Sequence, residues 1–226
     1  MTAQVLPPTT LALPATRPAR GRPRTRAQGT PQRGRTSSPQ VADRIHRLTR
    51  GQVADRLQEL GDLYAETSGG DPWAWNQARG PFLGRLTADT RRPGFSLLIA
   101  ETTALTGYAY GFPTGGSGPW WAAFDGHARG GLLRRAASGR LFVVSGIVVP
   151  PRVRREYRDH VWNLARRLQR RLLADHGAAL GVALVDARDG RTVETMRSWG
   201  WRYAGDDGLQ AVSPGPFRIL TLAPGT

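Results

Sequence analysis

Four arginines crowd one short stretch of this chain. Arg152, Arg154, Arg155 and Arg158 follow directly on a β-branched run, Leu141–Val149, that Pro150-Pro151 stops. A strand that feeds a helix aims free backbone N–H groups at whatever sits beyond the turn, and an anion is favoured there. Guanidinium groups around such a turn would add charge-assisted hydrogen bonds to phosphate or carboxylate. A second group lies upstream, with Trp120-Trp121 beside the Gly-rich loop Pro113–Gly118, then Asp125-Gly126-His127. Paired tryptophans in that position could line an acceptor pocket, or could cap the edge of the core under a long loop. Asp125 and His127 have the residue types of an acid–base pair, although loop residues at this spacing are more often simply solvated.

Hydrophobic periodicity places these groups on elements. From Gln40 the spacing of Val41, Ile45 and Leu48, then of Val53, Leu57, Leu60 and Tyr64, predicts helices parted near Gly51. Ser68–Pro72 ends the second of them, and a further helix is expected over Pro81–Thr90. Phe95–Glu101 and Gly107–Phe112 read as two strands of an antiparallel hairpin. After Leu141–Val149, the positions Tyr157, Val161, Leu164, Leu168 and Leu172 recur at helical spacing, with arginines on the opposite face. Ala179–Asp186 then reads as a strand, Thr192–Ser198 as a short helix, and Phe217–Leu222 as a last strand.

Composition removes several chemistries. The 226 residues contain no cysteine, so thiolate catalysis, disulfides and Cys-ligated metals are excluded. The four histidines are scattered without ligand spacing, and no metal is expected. No apolar run approaches the roughly 18 residues needed to cross a bilayer, and no membrane role is expected. The Met-Thr-Ala-Gln start lacks a basic region leading into an apolar one, so a cytoplasmic location is expected. The net charge is +15, and residues 1–40 hold seven arginines and no acid. Charge of this sign favours polyanions such as CoA, nucleic acid or anionic lipid.

Residues 1–39 are rich in Arg, Pro, Thr and Gly and cannot bury enough apolar surface to offset their ordering entropy. A disordered basic tail is therefore expected, followed by a single domain over residues 40–226. Within the tail, Arg20-Gly21-Arg22-Pro23 resembles the core of an AT-hook, which lays arginines along an A·T-rich minor groove. Four residues of this kind arise easily in such a composition, and a solvated tail is the preferred reading.

The order of elements resembles the GNAT N-acetyltransferase superfamily over residues 53–222, most sharply from Phe142 to Gly205. The Pro93-Gly94-Phe95 strand, the Gly107-Tyr-Ala-Tyr-Gly111 strand, the Trp120-Trp121 loop and the Trp199-Gly200-Trp201 corner all fall in the family's order. The family's pyrophosphate loop, Gln/Arg-x-x-Gly-x-Gly/Ala, falls on His160-Val161-Trp162-Asn163-Leu164-Ala165. The resemblance implies an α/β (α+β) fold, a mixed central sheet flanked by helices and splayed between its fourth and fifth strands. It implies acetyl-CoA, or another acyl-CoA, as cosubstrate in the gap. The pantetheine would pair with the backbone of Ile147, Val148 and Val149. The pyrophosphate would meet N–H groups of Val161 to Ala165, with Arg154, Arg155 and Arg158 nearby and Asp189 at the following turn. Trp120, Trp121, Asp125 and His127 would line the side of the amine acceptor.

Three positions depart from that pattern. The loop glycine is Asn163, the non-Gly residue type that best tolerates left-handed backbone. A strand glutamate that often relays the amine proton falls on Gly146. A tyrosine that often protonates the leaving thiolate falls on Met196. A lysine-like amine of pKa about 10.4 pays about 4.6 kcal/mol to be neutral at pH 7. Losing a positioned acid or base costs about 10²–10⁴ in rate. Glu101, Glu156, Asp125 and His127 stand as substitutes, and no catalytic residue is singled out. The expected activity is N-acyl transfer from acyl-CoA to an amine by direct attack. The alternative is a non-catalytic protein of the same fold that binds acyl-CoA or a partner, its tail contacting nucleic acid. Acceptor and oligomeric state are not readable from the sequence.

Overall fold

The computed structural model describes residues 44–67, 72–114, 130–133, 140–156, 163–204 and 216–223, all within the unit Val41–Thr226. The Arg-Gly-Arg-Pro segment lies outside the described residues.

Seven strands form one sheet: β1 (Arg44–Leu48), β2 (Ser96–Glu101), β3 (Leu105–Thr114), β4 (Arg140–Val148), β5 (Ala178–Asp186), β6 (Arg202–Tyr203) and β7 (Phe217–Leu222). Their order is β1-β2-β3-β4-β5-β7-β6. Every neighbouring pair is antiparallel except β4 and β5, which are parallel. Helices α1 (Arg50–Asp55), α2 (Leu57–Glu66) and α3 (Pro72–Thr90) precede β2. Helices α4 (Pro151–Glu156) and α5 (Leu164–Ala174) follow β4, and α6 (Gly190–Ser198) follows β5. No helix among the described residues is long and apolar enough to cross a membrane.

The alternation of strand side chains divides the core in two. Leu98, Ala100 and Ala109 meet Leu164, Leu168 and Leu172 of α5 and Val193 and Met196 of α6. Leu97, Ile99, Tyr108 and Tyr110 meet Leu60 and Leu63 of α2 and Phe82 and Leu86 of α3. The sheet is thus mixed and covered by helices on both faces, as the resemblance implies.

Where β3 meets β4 the register slips. Tyr110 faces Gly146 and Gly111 faces Val144, which leaves Ser145 as an extra residue in β4. Such a bulge bends its strand and shifts the alternation of side chains. Accordingly Phe142, Val144 and Val149 join the α5/α6 core while Val148 joins the other one. β4 pairs with β5 only from Arg140 to Val143. Beyond that point β4 stays with β3 as far as Val148, and β5 stays with β7 as far as Asp186. The sheet therefore opens between its fourth and fifth strands.

The Trp199-Gly200-Trp201 corner is held from beneath. Gln169 of α5 is fully buried. Its amide donates to the Trp199 carbonyl at 2.8 Å, and its carbonyl accepts from the Trp201 indole at 2.9 Å. Gly200 has φ of 101°, a conformation that favours glycine.

Three sequence expectations change. Residues 44–48 form strand β1, not a helix, because all five pair with the free edge of β2. The helical spacing of Ile45 and Leu48 gives way to that long-range pairing. The helix expected over Pro81–Thr90 begins at Pro72, with Pro81 inside it. Pro72 and Pro81 both fit a first-turn position, and only one is used as such. The segment after β4 is two helices, α4 and α5, with Asn163 capping the second. Tyr157 and Val161 lie outside the described residues.

Gly111 sits opposite the bulge, where an added Cβ would run into the Val143 carbonyl. Gly84 in α3 has open space around its Cβ direction. Gly111→Ala is expected to cost about 3 kcal/mol or more, because backbone must shift. Gly84→Ala is expected to stabilise by about 0.5–1 kcal/mol through helix propensity. Thermal and urea unfolding of the two variants check this opposition of sign.

Candidate functional site

The opening between β4 and β5 is a cavity of about 700 Å³. Its walls come from both faces of the sheet. One end is lined by Arg154 of α4, by Asp186 and Asp189 of the turn after β5, and by Arg191, Thr192, Thr195 and Met196 of α6. The other end is lined by Tyr64 of α2 and Thr67 that caps it, Phe82 and Arg85 of α3, and Tyr110 of β3. Val144, Ser145, Gly146, Ile147, Val148 and Val149 run between them. From Val144 onward β4 has no strand on its β5 side. In a strand, alternate backbone N–H and C=O groups point to each side, so half of those in this stretch face the cavity.

The first end is cationic but not uniformly so. Arg154 is half-buried, and its Nε is buried without a hydrogen-bond partner among the described residues. Burial lowers its pKa, and repulsion from Arg191 adds to the shift. A guanidinium stays charged nonetheless. An anion between these two arginines would relieve both penalties at once. Asp189 caps α6, its carboxylate accepting from Thr192 N–H at 2.9 Å. Asp186 accepts from Arg188 N–H at 2.8 Å.

The second end is aromatic. Tyr64 and Phe82 stack at 4.2 Å between centroids, and Tyr110 meets Phe82 edge-on at 6.3 Å. The Tyr110 ring lies over Gly146. A Cβ on Gly146 would fall 2.5 Å from Tyr110 Cε1 and 3.1 Å from its hydroxyl oxygen. Tyr110 therefore fills the space that a side chain at position 146 would need. Burial pushes its pKa up, Asp89 adds to the rise, and Arg85 opposes it. The phenol stays protonated at neutral pH, where it can donate a hydrogen bond but not act as a base.

Five of the sequence candidates come together here: Ile147, Val148, Val149, Arg154 and Asp189 line one cavity. Asn163, Leu164 and Ala165 are not among its lining residues. Asn163 is the N-cap of α5 with φ of −60°, so it is not in the left-handed region that its place in the loop pattern invokes. Its Oδ1 accepts from Ala165 N–H at 3.0 Å. One N–H of the turn expected to meet an anion is thus occupied by the chain's own amide. Leu164 and Ala165 are buried in the core. The Arg155 side chain, Arg158, His160, Val161 and Trp162 lie outside the described residues, as do Trp120, Trp121, Asp125 and His127. The Glu156 side chain does too. Arg152 is bound to Glu66 at 3.0 Å, and Glu101 is bound to Arg56 at 2.5 Å. Glu101 is not among the cavity residues. Met196 is, with no proton to give.

Sequence reading missed Tyr110, Arg85, Tyr64, Ser145 and Arg191. One signal was present. A glycine inside a β-branched strand marks a bulge or a close approach by another group, and Gly146 marks both.

No protein-family model matches the chain, and no curated protein matches it. Solved structures do match. A GNAT-family protein from Desulfovibrio desulfuricans is 17% identical, covers 81% of this chain and 99% of its own, and has a TM-score of 0.48. The PaiA N-acetyltransferase of Thermoplasma acidophilum, solved with coenzyme A, is 9% identical, with 80% and 99% covered and a TM-score of 0.48. A ribosomal-protein-alanine N-acetyltransferase from Brucella melitensis is 18% identical, with 79% and 98% covered and a TM-score of 0.45.

The Tyr110–Gly146 contact is testable by a double-mutant cycle. Gly146→Ala is expected to cost about 1–3 kcal/mol by overpacking against the buried ring. In a Tyr110→Ala background most of that cost should vanish, a coupling of about 0.5–3 kcal/mol. Urea unfolding of the four proteins measures it, and equal costs in both backgrounds would show that Tyr110 does not hold that space.

Proposed function

We propose that this chain is an acyl-CoA-dependent N-acyltransferase of the GNAT type, most simply an N-acetyltransferase. The observation that carries the reading is the cavity through the sheet, with cations at one end, aromatics at the other and free strand backbone between. An acyl donor with phosphates and amides suits the first two-thirds of that path. Arg154 and Arg191 would hold its phosphates, helped by Arg155, Arg158 and the segment from His160 to Ala165. The backbone of Ile147, Val148 and Val149 would pair with its pantetheine amides, and a strand N–H would polarise the thioester carbonyl. The acceptor amine would come from the aromatic end and attack beside Ser145 and Gly146. In this reading residues 40–226 are the transferase domain and residues 1–39 a separate basic tail.

A second reading has specific support. Asn163 occupies the Ala165 N–H, and neither Gly146 nor Met196 can move a proton. A chain built this way could hold acyl-CoA without turning it over.

Calorimetry with acetyl-CoA and with CoA tests the first step, and release of free thiol across a panel of amines tests the second. Binding with thiol release is expected. Arg154→Gln should weaken CoA binding roughly 10-fold or more, the worth of one charge-assisted contact. No binding at millimolar ligand would reject both readings, and binding without thiol release would select the second.

A further inference from the structure

The aromatic end of the cavity carries a guanidinium that forms no ion pair among the described residues. Four carboxylates lie on α2 and α3, and each is bound to an arginine, Glu59 to Arg56 at 2.7 Å. Asp62 is bound to Arg79 at 2.7 Å, Glu66 to Arg152 at 3.0 Å and Asp89 to Arg92 at 3.0 Å. Arg85 has no carboxylate partner among the described residues. Its nearest polar contact is the Tyr64 hydroxyl, at a long 3.5 Å from Nη2. It lines the cavity beside Tyr64, Phe82 and Tyr110. The described wall on this side therefore combines stacked rings with one uncommitted guanidinium.

Resting on the transferase reading, we propose that the acceptor is an amine that also carries a carboxylate and a flat or apolar side chain, an amino-acid-like acceptor. Arg85 takes the carboxylate, and a guanidinium is shaped to hold one through two N–H groups. Tyr64, with the buried rings of Phe82 and Tyr110 behind it, gives the side chain an aromatic wall to pack on. A polycationic acceptor meets the opposite situation, since Arg85 repels it and the nearby carboxylates are already paired. Transfer forms the C–N bond and breaks the C–S bond. The sulfur leaves as CoA thiol with one proton, and the surplus amine proton passes to solvent.

Product-like probes test this without requiring turnover. N-acetyl-phenylalanine and N-acetyl-phenethylamine differ only by the carboxylate. Calorimetry or ligand-observed NMR on the full chain should show the acid binding about 10- to 100-fold more tightly, the range of a charge-assisted pair. Arg85→Gln should erase that difference and leave the neutral probe unchanged, and Arg85→Lys should restore part of it. Arg85 is exposed on a helix, so both variants should unfold like the parent. Equal affinity of the two probes for the parent protein, no binding of either at millimolar concentration, or equal loss for both in Arg85→Gln would each overturn the assignment. Failure of CoA binding in the preceding experiment would instead remove the transferase reading, which these probe affinities do not measure.

Discussion

The parting of β4 from β5 is the constraint on which the site depends. Two parallel strands pair for a few residues and then separate, because β4 carries one more residue than β3 can match. Gly111 lets the two backbones close over that extra residue, and Ser145 is the residue pushed out. Parting leaves half of the polar backbone groups along Val144–Val148 without a strand partner. A buried group left unpaired costs about 1–3 kcal/mol, so an empty, dry gap is not a stable solution. Water or an extended ligand with its own amides must supply the missing partners. A fold that opens its sheet in this way therefore requires a ligand of strand-like chemistry, or a filling of water, in the opening.

What enters from each side is then decided by the helices that cover each face. α4 and α6 bring Arg154 and Arg191 to one mouth. Burial first, and repulsion from Arg191 second, lower the pKa of Arg154 there. α2 and α3 bring a cluster of rings to the other mouth, where Tyr108 also ties its hydroxyl to the Leu60 carbonyl at 2.9 Å. That bond fixes α2 against the sheet and so fixes Tyr64 against Phe82. Arg152–Glu66 links α4 to α2. The two mouths thus have distinct chemistry on a shared frame.

Much of this frame was legible in the sequence, and the exceptions have physical reasons. β-branched and alternating runs marked β2, β3, β4, β5 and β7, and the order of elements marked the splay. β1 was misread because five residues with helical spacing become a strand only when a distant edge receives them. α3 was misread because Pro72 and Pro81 give the same starting signal. Within the site, Gly146 stood out as a departure, but its cause did not. Tyr110 reaches Gly146 only through a register that the bulge sets, and no local pattern around either residue reports it. Gln169 was invisible for the same reason, since its two partners come from the corner after α6. Ile147, Val148, Val149 and Arg154, named through the family resemblance on a local strand and turn, line the cavity, whereas the aromatic wall is assembled from three separate elements.

The departures from the family pattern are also not empty positions. Asn163 closes the first turn of α5 with its own amide. Gly146 makes room for Tyr110. Met196 is packed in the core beside Val193 and Trp199. Each of these three positions thus has a structural role in this chain. An amine with pKa near 10.4 pays about 4.6 kcal/mol to be neutral at pH 7, and a relay carboxylate on β4 would offset part of that. An amino-acid α-amino group, roughly one pK unit below a lysine-like amine, pays about 1.4 kcal/mol less. On the proposed transferase reading, such an acceptor would lean less on a relay carboxylate at position 146. The space there is filled instead by the Tyr110 ring, whose hydroxyl burial keeps protonated.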